Sequence, residues 1–262
     1  MRLRLPIVLP FVLLLAGCQT PSLPNPNDPN DVGPLSADNI RAQLSSMSDS
    51  LQMHVFRNEI TDDQYHQLMQ RAAEKLLKGY SADRLDPTNA WKYGEVLITA
   101  HMWPEAKDAL QAAVDTAKAS HNEDRRVNDT LRLARVLAEM GQVETAIKTA
   151  RSVFDVRPQD GAPILYAVSN EIVKSAQGKG RDLELAKLLE DAIAIHWRVQ
   201  VDRSSNVGKA FLFARPLQVR RAWKTVAELY TKANRPDLAE RAMAKIRPTS
   251  RTSLSSQSWV RV

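Results

Sequence analysis

From about residue 87 an alanine recurs just after each turn signal: Ala106, Ala146, Ala186 and Ala239. Seven positions on stands an apolar residue: Ala113, Val153, Ile193 and Ile246. The turn signals are His101-Met-Trp-Pro104, Met140-Gly141-Gln142, Gly178-Lys-Gly180 and Ala233-Asn234-Arg235-Pro236. Gly141 and Asn234 suit the left-handed residue that ends a helix. Pro104 and Pro236 suit the first turn of the next one. A small side chain lets two antiparallel helices approach closely, and the residue two turns later lies on the same face. The pattern leaves little room for strands and predicts an all-α chain of helical hairpins.

These hairpins resemble the tetratricopeptide repeat, a helix–turn–helix unit of 34 residues. In the last unit Trp223, Ala227, Tyr230, Ala239 and Met243 stand at the family's conserved-type positions. Gly94, Leu97, Ala106, Leu110 and Ala113 match in the first unit, with Trp91 one residue late. Leu133, Ala134, Leu137, Gly141, Ala146 and Pro158 match in the second. The third keeps Ala186, but Glu190 replaces an apolar residue and its first helix is out of register. The alanines lie 40, 40 and 53 residues apart, so long loops between units are expected. An irregular helical bundle is the alternative reading.

The resemblance implies a solenoid over residues 87–247 with a concave face built from the first helix of each unit. That face would expose Lys92, Glu95 and Thr99, then Arg132, Arg135 and Glu139, then Arg221, Lys224 and Glu228. Lys92, Arg132, Arg135, Arg221 and Lys224 are the expected partner-binding residues, since the family's groove takes extended peptides or helices. The alternative is that they are a solvated polar face.

Before the repeats, Ile40, Leu44, Met47 and Leu51 form one helical stripe, and Tyr65, Leu68, Met69, Ala72 and Leu76 a second. Thr61-Asp-Asp-Gln64 between them is a capping box. Residues 36–86 are therefore expected to form a helical hairpin, which either covers one end of the stack, as an exposed end requires, or sits apart from it.

The N-terminus gives a location. Arg2 and Arg4 precede an apolar run from Leu5 to Leu15, and Leu15-Ala16-Gly17-Cys18 follows. The run is far shorter than the roughly 20 residues of a spanning helix. Charged, apolar and small residues in that order make an export signal, residues 1–17. With the chain's single cysteine at the cut site it resembles a bacterial lipobox. The resemblance implies cleavage before Cys18, diacylglycerol on its sulfur, and a palmitate-like acyl group on the new N-terminus. Two or three chains anchor a protein firmly where one would be marginal. Gln19 in place of the aspartate that retains such lipoproteins at the inner membrane implies the outer membrane, facing the periplasm, or the outer face of the membrane in a cell that has only one. Residues 18–35 hold five prolines and three asparagines and predict an extended tether. At about 3 Å per residue it would hold the folded part tens of ångströms from the lipid. Residues 248–262 read as a basic, Ser-rich flexible tail.

Thirty-six basic and 30 acidic side chains give a net charge of +6, and removing Arg2 and Arg4 with the signal leaves +4. That balance argues against nucleic-acid binding. Residues 194–224 stand apart, with seven cations, the single acid Asp202, and Trp197, Phe211 and Phe213 among them. One reading is a loop on anionic lipid, cell wall or an acidic partner. The favoured one is that the aromatics pack between the third and fourth units while the arginines stay wet.

No chemistry stands out. The five histidines, His54, His66, His101, His121 and His196, show no metal-ligand spacing, and no HExxH, GxSxG or phosphate-loop motif is present. Asn128-Asp129-Thr130 matches a glycosylation acceptor by chance. The expected function is a non-enzymatic adaptor without cofactor or metal, holding a cell-envelope protein at the membrane. Proteins of such architecture serve outer-membrane assembly, secretion and cell-wall hydrolases. The alternatives are a structural envelope protein gripping polymer or lipid through residues 194–224, and an enzyme with an unrecognised site.

Overall fold

The computed structural model describes residues 36–78, 86–156 and 164–246. All of them belong to one unit of the chain, Pro34–Val262. The signal 1–17, the tether 18–35 with Cys18, Pro158 and the tail 248–262 lie outside the described residues.

Among the described residues the fold is all-α, with no strand. The helices are α1 (Ala37–Phe56), α2 (Asp62–Leu76), α3 (Ala90–Thr99), α4 (Trp103–Ala119), α5 (Glu123–Glu139) and α6 (Val143–Arg151). A short α7 (Ile164–Tyr166) runs through a π-helical segment (Ala167–Ile172) into α8 (Val173–Ala176). Then come α9 (Asp182–Arg198), α10 (Asn206–Lys232) and α11 (Pro236–Ala244).

One turn chemistry joins most of the pairs. His101, His121, Gly141 and Asn234 all take positive φ, 56°, 52°, 78° and 56°. In each turn the next residue's N–H reaches the carbonyl five positions back, as from Met102 to Leu97 (3.0 Å) and from Arg235 to Tyr230 (2.8 Å). Those bonds satisfy carbonyls that the ending helix leaves free. The following helix starts two residues after the left-handed one, with Pro104 and Pro236 in the first turns of α4 and α11. The capping box before α2 is complete: Gln64 N–H donates to Thr61 Oγ1 (3.2 Å) and Thr61 N–H to Gln64 Oε1 (2.9 Å).

The expected long loop between the first two units is absent. Ser120–Asn122 makes the α4–α5 link as tight as the others, and the extra length lies in α4 and α5, each 17 residues. Good helix formers along α4 make extension cheaper than looping out.

Each helix packs on its neighbours in sequence: α3 on α4, α4 on α5, α5 on α6, α9 on α10 and α10 on α11. Both helices of the α1–α2 hairpin pack on α3 and share its hydrophobic core. Ala106, Ala146, Ala186 and Ala239 are buried, as the need for close approach demands. Gly94 serves the same end on α3, with the Leu110 side chain of α4 packed against its backbone.

The register slip of the third unit is the π segment. Ile164, Val168, Ile172 and Ala176 are buried at intervals of four residues, a stripe that spans 12 residues. Three α-helical turns take up about 11 residues, so a plain α-helix would rotate the stripe out of the core. One π turn absorbs the additional residue and keeps all four inside.

Residues 194–224 are not a loop. α9 runs on to Arg198 and α10 begins at Asn206, so only 199–205 link them. Ser205 caps α10 by accepting from Gly208 N–H (3.0 Å), and Asp202 accepts from Ser204 N–H (2.8 Å) and hydroxyl (2.6 Å). α10 carries Pro216 in its interior, where the N–H that would bond Leu212 is missing.

Candidate functional site

The first part of the expected binding face is closed by its own charges. Arg41 on α1 and Arg132 on α5 both pair with Glu95 on α3, at 2.7 and 2.5 Å. Lys92 Nζ pairs with Asp38 of α1 at 2.6 Å. The guanidinium groups of Arg41 and Arg125 both lie over the Trp91 ring, 4.5 and 3.7 Å from its centroid. Arg125 forks onto Asp129 at 2.6 and 2.8 Å. Burial pushes the Asp129 carboxyl up against the pull of Arg125 and Arg132, and burial pulls the Arg125 guanidinium down. Lys92, Glu95 and Arg132 were expected to be exposed and are half-buried, because α1 brings Asp38 and Arg41 onto α3. Arg135 is half-buried, and no ion pair to it is formed among the described residues.

Farther along, α5 is tied to the π-bearing helix. Ser175 hydroxyl donates to Glu139 Oε1 (2.7 Å), and Lys179 Nζ to the carbonyls of Ala138 and Glu139 at the end of α5 (2.7 and 3.0 Å). A cation there meets the negative end of the helix.

Beyond that tie the face opens. The helix 164–176 packs on α5 and α9 but not closely on α10. Between it and α10 lies a cleft of about 510 Å³. Tyr166, Ser169, Asn170, Val173, Lys174 and Gln177 line one wall, and Phe211, Gln218, Arg221, Ala222, Thr225 and Glu228 line the other, with His196 of α9 between them. The π turn carries Ser169 and Asn170, and Phe211 belongs to the segment that stretches the last alanine spacing to 53 residues. The two departures from the expected repeat pattern thus fall in the two walls.

The cleft mixes apolar side chains with carboxamides and isolated charges. Asn170, Gln177 and Gln218 can each donate and accept, which suits the alternating N–H and C=O groups of a peptide. Its volume falls in the range of ligand sites, about 300–1,000 Å³. His196 at the base is buried. Nε2 shares a hydrogen bond with Gln218 Oε1 (3.1 Å), while Nδ1 has no partner. Burial, and next the Arg215 charge, lower its pKa. Its ring packs on Phe211 at 5.0 Å between centroids.

The fate of the 194–224 cluster reverses the expectation in part. Phe211 does pack inward, but Phe213 is 90% exposed and Trp197 50%. The buried cation is Arg215, which donates to the carbonyls of Trp197 (3.4 Å) and Val199 (2.7 Å) and lies over Phe211. Arg221 and Lys224 are exposed on α10. Arg221 lines the cleft and also a second groove, toward α11, that Lys224 shares. Of the five expected partner-binding residues, it is these two that face open concave surface.

Three further residues carry more than the sequence suggested. Glu190, which breaks the repeat pattern, lies near enough to buried Tyr230 of α10 to act on its phenol. Burial and then Glu190 push that phenol up to about 12. Thr130 and Asp129 of the Asn128-Asp129-Thr130 triplet are buried within α5.

Among the described residues no three His, Cys, Asp or Glu side chains converge as a metal site, and no helix is long and apolar enough to cross a membrane. No family model matches the chain, and no curated protein matches it. The chain is similar to BtubC (BKLC) from P. vanneervenii, seen in a crystal structure, at 13% identity. The likeness covers 85% of this chain and 98% of that one with a TM-score of 0.40.

Proposed function

We propose that the chain is a non-enzymatic, lipid-anchored adaptor whose tetratricopeptide-like helix pairs hold a segment of a cell-envelope protein. The segment lies in the cleft between the helix 164–176 and α10. The observation that carries this reading is the contrast along one face. Ion pairs close it from α1 to α5, whereas the 510 Å³ cleft stands open beside α10 with side chains suited to a polypeptide. Lipid on Cys18 confines the adaptor to a surface, and the cleft selects what is concentrated there. Periplasm-facing outer membrane is the location that the sequence after Cys18 favours.

The test has two arms. Cells fed an alkyne-bearing fatty acid should label the native chain and not Cys18→Ser. A protein that copurifies with the native chain from solubilised membranes should be lost with Thr225→Trp, which fills the cleft from a half-buried position. A copurifying set unchanged by Thr225→Trp would remove the cleft from the mechanism.

A further inference from the structure

The outward side of the α10–α11 pair is a second surface. α11 packs on α10 through Ala239 and Ala242. Beside that seam runs a groove of about 460 Å³ with Leu217, Ala227, Ala239, Met243 and Ile246 along it. Leu217 is 53% and Met243 44% exposed. Earlier in the chain the corresponding side of a pair is covered: α5 lies on α4 and α10 on α9. Among the described residues α11 packs closely on α10 alone. From Leu217 to Thr231 the groove follows 15 residues of α10, about 21 Å end to end at the helical rise, enough for a helix of equal length.

Arg220, Arg221 and Lys224 rim the groove. The only acid lining it is Glu228, which Lys224 meets loosely at 3.9 Å. Arg220 and Arg221 have no ion pair among the described residues. The charge decides between occupants. The chain's own segment after Ile246 carries Arg247, Arg251 and Arg261 and no acidic side chain. A second copy placed face to face would bring two such cationic rims into one interface. We propose that the groove takes an amphipathic helix of another protein, with an apolar stripe for Leu217 and Met243 and acidic side chains for Arg220, Arg221 and Lys224. The groove shares Arg221 and Glu228 with the cleft, and its other lining residues are its own.

Two synthetic fluorescent peptides of about four turns serve as probes. They share one leucine stripe, and the other positions are glutamate in one and lysine in the other. Titrated with the full chain, the glutamate peptide should saturate at one per chain and bind at least about tenfold more tightly than the lysine peptide. Leu217→Gln/Met243→Gln and Arg220→Glu/Lys224→Glu should each weaken it at least about fivefold. Asn170→Ala in the cleft should leave it unchanged. All four substituted groove residues are exposed, so an unchanged helical circular dichroism spectrum should accompany the loss. Equal affinity for both peptides overturns the proposal, as does loss on charge reversal alone with none from the glutamine pair. Concentration-dependent dimerisation abolished by Leu217→Gln/Met243→Gln would make a second copy the occupant. Tighter probe binding after removal of 247–262 would make it the chain's own tail. Either result replaces the partner helix.

Discussion

Arg215 on α10 donates from Nη2 to the carbonyl of Val199, just past the end of α9, at 2.7 Å. A helix end leaves its last carbonyls without intrahelical partners, and a guanidinium there also meets the negative end of the dipole. The same side chain lies 4.7 Å over Phe211, so it fixes one wall of the cleft. Arg215→Ala should lose about 2 kcal/mol of stability, the worth of hydrogen bonds to a charged group. Arg215→Lys should recover little, because an ammonium lacks the planar fork that reaches both carbonyls from separate nitrogens while lying over the Phe211 ring. Urea denaturation of the three proteins measures it.

Gly94 is a packing residue. A Cβ there would stand 2.7 Å from Leu110 Cδ2 and 2.8 Å from Cγ, and Leu110 is wholly buried. Alanine favours a helix over glycine by about 1 kcal/mol, yet overpacking costs about 1–3. Gly94→Ala should therefore destabilise by about 1 kcal/mol. Leu110→Ala alone should cost about 2–5 kcal/mol. The double variant should cost less than the sum, since the new methyl enters the space that leucine leaves. A double-mutant cycle in urea reads the coupling.

His196 makes stability depend on pH. Burial and Arg215 hold its folded pKa below the ordinary 6.5. Above pH 6.5 the ring is neutral folded and unfolded, and its contribution is full. As pH falls from 6.5 through the folded pKa, the unfolded chain takes up the proton first and stability drops. Urea midpoints from pH 7.5 to 5 should fall, and His196→Gln should flatten that part of the curve. An identical slope in both proteins would place the titration elsewhere.

The π turn should tolerate shortening. Deleting Ser169 leaves the buried stripe at 11 residues for three turns, the α-helical spacing. The protein should stay folded with a loss within about 1–2 kcal/mol. Deleting Arg135 from α5, which has no spare residue, rotates half that helix by about 100° and should unfold it. Thermal melts separate the two.

The helices, their turns and the buried alanines were legible because each rests on local chemistry: Thr61 and Gln64, Gly141 and Asn234, Pro104 and Pro236. The closed half of the expected binding face was not. Glu95, Arg132, Asp38 and Arg41 read as polar helix positions, and only tertiary packing brings α1 across α3. The tight α4–α5 turn was hidden because His121, a left-handed residue with a Cβ, carries no turn signal. Arg215 gave no sign of burial, since a charged residue inside a protein is expected only where its partners are known. Two irregularities did point to the cleft, the slipped third unit and the 53-residue spacing, but as defects of a pattern rather than as walls of a site.

The most direct measurement is site-specific photocrosslinking in intact membranes, with the reactive residue at Asn170 in the cleft or at Lys148, exposed on α6. One envelope protein captured from position 170, absent from position 148 and lost with Thr225→Trp, is the expected result. Capture of the same proteins from both positions, or of none from position 170, would contradict a cleft that holds a partner.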